Sequence, residues 1–222
     1  MKILAIHGSP RTIHSTTRRL ACFVLEGAAD AGAETEIIDL ADYRIIPCTA
    51  CEACAINGIC VNDDDVTAIM NRMKEADAFV FGSPVYIDNI TGQMKIFFDR
   101  LADAIHYQHY SGKYGCSVAT TAESGSTEVV AYLNHVLNYL GVVSVGGIGI
   151  ATGGQLAKVE EYEPAARALG KKLVDAVREG YIDPVQDAIL SDNRGYFKAI
   201  VEESKDLRAD DYARWVRMGW IK

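Results

Sequence analysis

Ala78–Gly82, AFVFG, is the segment that most narrows the possible folds. Five residues with no polar position on either side of an extended chain must be covered on both faces, the environment of a central strand in a parallel sheet. The rest of the chain alternates to match. Lys2–Ile6 reads as a strand, and a helix starts at Ser15, with Leu20, Phe23, Val24 and Leu25 near the helical period and Gly32 where a cap belongs. Glu34–Leu40 reads as a strand, and Asp63-Asp64-Asp65 opens a helix to about Ala76, where carboxylates suit the helix N-terminus. After AFVFG come a helix over Gly92–Ala104, a strand over Tyr114–Thr121, a helix over Thr127–Leu140, a strand over Val142–Ile150 and a helix over Lys158–Arg178. Strand and helix alternating with short connections predict an α/β fold, a doubly wound five-stranded parallel sheet. Ligands of such sheets lie beyond the carboxyl ends of the strands.

The first domain is expected over 1–182, followed by a C-terminal helical extension over 183–222 that is too short to fold alone. It carries a mostly polar helix near Asp187–Ser204 and ends DDYARWVRMGWIK, whose Tyr212, Trp215 and Trp220 call for packing on the parent domain or on another subunit. The net charge of −8 argues against nucleic acid or an anionic membrane as partner. No apolar stretch approaches the ~20 residues of a membrane span, and MKILAIHGSP runs straight into a strand, so a cytoplasmic location is expected.

Three loops that should share the ligand edge hold the unusual residues. Gly8–Leu20, GSPRTIHSTTRRL, surrounds a helix N-terminus with Ser9, Thr12, Ser15, Thr16, Thr17 and Arg11. Exposed N–H groups and hydroxyls without a carboxylate suit a single terminal phosphate, as in a flavin mononucleotide; neither a Walker run nor GxGxxG is present. An ordinary helix cap explains one of these hydroxyls but not five with an arginine. Gly82–Arg100, GSPVYIDNITGQMKIFFDR, offers Pro84, extended backbone and the face of Tyr86 to a flat heterocycle, while Lys95, Asp99 and Arg100 read as surface charges pairing along a helix. Thr120–Glu128, TTAESGSTE, has small residues that permit close backbone approach, and Ser126 or Thr127 serves equally as a cap.

Cys48, Cys51, Cys54 and Cys60 fall within CTACEACAINGIC, in a Cys-rich loop over 47–61. The spacing C-x2-C-x2-C-x5-C suits one self-contained [4Fe–4S] cluster, with Gly58 folding the chain back toward the fourth thiolate, and it lacks the x3 gap and following proline of a two-cluster ferredoxin run. Zinc, a reactive dithiol and a thiol loop without metal stay open as alternatives. Cys22 and Cys116 read as buried small hydrophobes. His7 and His14 lie beside or within the first loop, and His106 to Tyr110, HYQHY, form an aromatic group; none is assigned as acid or base, and no catalytic side chain is expected, because a flavin carries its own chemistry.

GSPR followed by Ser15-Thr16-Thr17, the Cys-rich loop followed by Asp63-Asp64, GSPVY with K-x-F-x-D-R, and the Tyr/Trp-bearing tail together resemble the flavodoxin-like NADPH-dependent FMN reductases, and with the four cysteines their iron–sulfur flavoprotein branch. The resemblance spans nearly the whole chain. It implies that Ser9, Arg11, Ser15, Thr16 and Thr17 hold the FMN phosphate, that Pro84, Val85, Tyr86, Asp88, Asn89 and Ile90 border the isoalloxazine, and that Thr121, Ala122, Glu123 and Gly125 close its other side. It further implies a [4Fe–4S] cluster beside FMN, and a homodimer or homotetramer. The expected function is an oxidoreductase passing electrons from a donor such as ferredoxin through the cluster to FMN and a small acceptor. The alternatives are a cluster-free NAD(P)H-dependent FMN or quinone reductase, with NAD(P)H as transient donor, and a flavin carrier without turnover.

Overall fold

The computed structural model describes residues 1–153 and 155–222. Five strands, β1 (Lys2–His7), β2 (Glu34–Asp39), β3 (Ala78–Pro84), β4 (Tyr114–Thr121) and β5 (Val143–Ala151), form one parallel sheet in the order β2-β1-β3-β4-β5. The flavodoxin-like order puts AFVFG in the middle, and its residues divide between the faces as the pleat requires. Ala78 and Val80 enter the core on one side, Phe79 and Phe81 the core on the other. Ile3 and Ala5 against Leu4 and Ile6 repeat the division on β1.

Helices α1 (Thr16–Asp30) and α7 (Glu163–Glu179) cover one face. They approach so closely that a Cβ on Gly27 would run into the Arg167 backbone, and one on Gly170 into the Val24 carbonyl. The other face is covered by α3 (Val66–Glu75), α4 (Gly92–Asp99) and α6 (Ser126–Tyr139). A five-residue helix, α2 (Ala53–Asn57), lies inside the cysteine stretch.

The expected helix over Gly92–Ala104 is two, α4 and α5 (Ala102–His106), broken at Arg100-Leu101. Arg100 is buried rather than a surface charge: its guanidinium grips Asp64 at 2.5 and 3.2 Å and the Ile46 carbonyl at 2.6 Å. Lys95 and Asp99 do pair along α4. The acidic triplet divides its work. Asp64 also accepts from the N–H groups of Val66 (3.2 Å) and Ile46 (2.8 Å), and Asp65 from that of Arg44 (2.7 Å). Cys116 is fully buried, its thiol pushed up to about 12 by burial. Cys22 is only partly covered, with burial raising its thiol against the opposing charge of Arg18.

The extension forms α8 (Pro184–Glu203) and α9 (Ala209–Arg217) and packs on its own parent domain. Trp215, Phe197, Val201 and Ile221 make a third apolar core with Tyr107, and the Trp215 indole N–H donates to the Tyr107 carbonyl at 3.0 Å. Tyr212 and Trp220 lie at its partly covered margin. No described helix is long and apolar enough to cross a membrane.

Candidate flavin site and thiol loop

β1 ends at His7, and the chain turns through Gly8, whose N–H donates to the Gly82 carbonyl at 2.8 Å. A Cβ on Gly8 would sit 2.7 Å from the Met94 Cβ, so only glycine admits this approach. A 3-10 turn over Thr12–His14 then leads to Ser15, the N-cap of α1, whose Oγ accepts the Arg18 N–H at 3.3 Å. Among the described residues nothing accepts from the N–H groups of Thr16 and Thr17. A fifteen-residue helix therefore points its free N–H groups and the positive end of its dipole outward between hydroxyls.

β3, β4 and β5 end at the same edge. Ser9, Arg11, Ser15 and Thr16 of the first loop, Pro84, Val85 and Tyr86 of the second, and Thr121 and Ala122 of the third line one cavity of about 150 Å³. Thr120 and Thr152 complete the wall, and among the described residues no carboxylate lines it. Thr120 opens the third loop, TTAESGSTE. Thr152 follows β5, whose carboxyl end the same strand-end rule points to. Thr17 is turned inward, its hydroxyl 2.6 Å from that of Thr120, which also meets Thr16 at 3.0 Å. The remaining named residues shape the loops instead of the wall. Tyr86 and Asn89 exchange backbone hydrogen bonds at 2.8 and 3.1 Å around Ile87-Asp88, both at positive φ as a type I′ turn requires. The Asn89 side chain accepts from the Ile90 N–H at 2.8 Å, and Ile90 enters the core. Glu123 is exposed, and Gly125 caps α6 at φ +87°, where a Cβ would approach Val85 at 3.1 Å. Thr91 locks the first two loops together, donating to the Gly8 carbonyl at 2.5 Å and accepting the Met94 N–H at 3.3 Å.

Behind the cavity His7 is fully buried between two partners. Nδ1 lies 2.7 Å from Asp39 Oδ1 and Nε2 lies 3.1 Å from Ser15 Oγ. Asp39 Oδ2 accepts the Arg18 Nε–H at 2.7 Å. Burial by itself raises the Asp39 carboxyl, but the hydrogen bonds and charges of His7 and Arg18 outweigh it and hold it below the usual carboxylate range.

The thiol loop leaves the neighbouring strand, β2. Its entrance is clamped at Ile46 by Asp64 and Arg100, and its middle by Arg208, which reaches back from the extension to donate to the Cys54 carbonyl at 2.8 Å. Arg208 also grips Asp103 at 2.6 and 3.2 Å, pairs with Asp211 at 2.7 Å and stacks 3.9 Å over the Tyr107 ring. Gly58 ends α2 at φ +72°, and a Cβ there would meet this guanidinium at 3.1 Å. Cys54 and Cys60 line a cavity of about 220 Å³ with Arg100 and Asp103, whereas Cys48 and Cys51 are exposed. The Ala53 N–H and then the Thr49 side chain lower the Cys51 thiol; burial, then the charge of Asp103, raise that of Cys54. Among the described residues no three His, Cys, Asp or Glu side chains converge on one point. Four thiols thus lie on one tethered loop, two of them at a cavity wall and two exposed. A roomier cavity of about 560 Å³, lined by Lys74, His109 and Arg214 among others, lies between this loop and the extension, away from the strand ends.

The sequence profile described as NADPH-dependent FMN reductase matches residues 1–156. An iron–sulfur flavoprotein of Archaeoglobus fulgidus is 33% identical over 225 residues, covering 100% of both chains. The chain belongs to the iron–sulfur flavoprotein branch of the NADPH-dependent FMN reductase family. An iron–sulfur flavoprotein of Methanocaldococcus jannaschii is 34% identical to it over 190 residues, covering 80% of this chain and 98% of that one. Among solved structures, an FMN-dependent NADH-azoreductase from Bacillus anthracis in complex with FMN superimposes with a TM-score of 0.61 at 16% identity, over 78% of this chain and 100% of that one. As a member of this family the protein is a flavin-dependent oxidoreductase, built on the flavodoxin-like sheet.

Proposed function

We propose that this protein binds FMN at the edge where β1, β3, β4 and β5 end, carries a [4Fe–4S] cluster on the thiol loop, and passes electrons from a donor such as ferredoxin to a small acceptor. The carrying observation is the cavity itself: loops distant in sequence meet around a helix N-terminus, a buried hydroxyl set and Arg11, with no carboxylate among the described lining residues. In this reading Ser9, Arg11, Ser15 and Thr16 receive the phosphate, while Thr17 acts behind them by fixing Thr120. Pro84, Val85 and Tyr86 on one side and Thr121 and Ala122 on the other flank the ring. Asp88, Asn89, Ile90, Glu123 and Gly125 hold those two loops in shape. Cys48, Cys51, Cys54 and Cys60 are the ligands of the cluster. When bound, FMN supplies two-electron and the cluster one-electron chemistry. The chain's contribution is to bind, orient and shield, so no side chain is assigned a proton transfer to substrate.

The second reading is a cluster-free NAD(P)H-dependent reductase of flavin or quinone. It is favoured by the thiols' lack of convergence on one point among the described residues, and a 32% identical relative over 144 residues is named an NAD(P)H dehydrogenase (quinone), from Methanosarcina barkeri. Absorption spectra with iron and sulfide analysis after anaerobic purification separate the two. About four irons and four sulfides per chain beside flavin bands are expected. Cys51→Ala is expected to keep FMN and lose donor-dependent flavin reduction; flavin alone, bleached by NADPH, supports the second reading instead.

A further inference from the structure

Of the five histidines only His7 is fully buried, and its contacts form a line: Arg18 to Asp39, Asp39 to Nδ1, Nε2 to the Ser15 hydroxyl, and Ser15 to the cavity. The tautomer follows from the partners. An ionised carboxylate 2.7 Å away can only accept, so Nδ1 carries a proton. The state of Nε2 then decides what Ser15 offers. When Nε2 is bare it accepts the Ser15 O–H, and the hydroxyl presents only lone pairs to the cavity, which repel an anion. When Nε2 is protonated it donates to Ser15 Oγ, and the Ser15 hydrogen is released toward the cavity as a donor. The Arg18 N–H occupies another Ser15 lone pair in both states.

We infer that His7 is a positioning residue of the phosphate site: a proton on Nε2 converts Ser15 from acceptor to donor, so that binding of a phosphate dianion draws one proton from solvent onto His7. The N–H bond formed is to Nε2, no electrons move, and release of the ligand returns the proton. Two charged groups lie around the imidazole: Asp39 of β2, in direct contact, and Arg18 of α1, on the other oxygen of the same carboxylate. β3 presents uncharged Gly82, and Cys22 touches Arg18 at 3.7 Å rather than His7. Phosphate selectivity would thereby acquire a proton linkage inside the protein, separate from the titration of the ligand. The inference rests on reading the cavity as the FMN phosphate site.

Calorimetric titration at pH 8 tests it, because a phosphomonoester with a second pKa of about 6 is already a dianion there. Run in two buffers of different ionisation heat, FMN is expected to bind with net proton uptake and riboflavin with none. FMN affinity is expected to fall with rising pH, by at most ~10-fold per pH unit, the limiting slope for one linked proton. His7→Gln, which places an amide donor near the Nε2 position at every pH, is expected to bind FMN without proton uptake. Long-range 15N–1H spectra of wild-type protein give a readout free of any folding defect in that variant: both ring nitrogens of His7 should be protonated in the FMN complex. FMN binding with no proton uptake, uptake that persists in His7→Gln, or an unprotonated Nε2 in the complex overturns the inference and leaves the flavin site standing. Equal affinity for FMN and riboflavin overturns the phosphate reading and the inference together.

Discussion

Ile87 is a β-branched residue at φ +50° and 97% exposed, at the tip of the loop that presents Tyr86. The left-handed region costs an L residue roughly 1–2 kcal/mol, least for asparagine. With the side chain almost wholly in solvent, burial does not offset that cost. Ile87→Asn is expected to raise stability by about 1 kcal/mol, read as a higher urea midpoint at unchanged slope. A second residue-scale effect concerns Asp39. Its folded carboxyl binds a proton less readily than in the unfolded chain, so unfolding takes up a proton as the solution is acidified. The stabilisation is complete above the unfolded value of about 4 and is lost as the pH falls through the depressed folded value. Asp39→Asn should therefore flatten part of the decline in unfolding free energy measured from pH 5 down to pH 2.

Among the elements, the contact of α1 with α7 sets how tightly one face of the sheet is closed. Gly27 and Gly170 allow backbone to meet backbone across it. Gly170→Ala puts a methyl group against the Val24 carbonyl, and relief requires the helices to separate. The intrinsic helix preference favours alanine by about 1 kcal/mol, yet overpacking costs roughly 1–3 kcal/mol. Net destabilisation is expected in chemical denaturation, with the sign alone deciding which term wins.

On the scale of the whole molecule, Arg208 joins the extension, the α5 region and the thiol loop. Its guanidinium and Asp103 are both buried, so removing one partner strands the other. Arg208→Ala is expected to cost about 3–5 kcal/mol and to open the 47–61 stretch to proteolysis well before the sheet. Arg208→Lys should recover only part of this, since one ammonium cannot span Asp103, Asp211 and the Cys54 carbonyl together. Proteolysis of the loop at the wild-type rate in both variants would show that the extension does not restrain it.

The sequence by itself determined the number of strands and their succession along the chain, their parallel arrangement, and the convergence of the hydroxyl-rich loops at one edge. Those features rest on short-range periodicity and on the strand-end rule. AFVFG can be satisfied only between two layers of helices, and GSPR with Ser15 marks a strand-to-helix turn without reference to anything distant. The clustering of four cysteines is equally local. Tertiary structure alone decided which charges are buried and what they hold. Arg100 meets Asp64 across 36 positions, Arg208 meets Asp103 across 105, and Arg18 meets His7 only through Asp39 of the adjacent strand. Such pairs have no period in the sequence, because a charge is stabilised by whichever opposite charge the chain path brings within about 3 Å. For the same reason Thr17 turned inward and Thr152 joined the cavity wall: a hydroxyl is read by its neighbours in space, and those were set by the strand order.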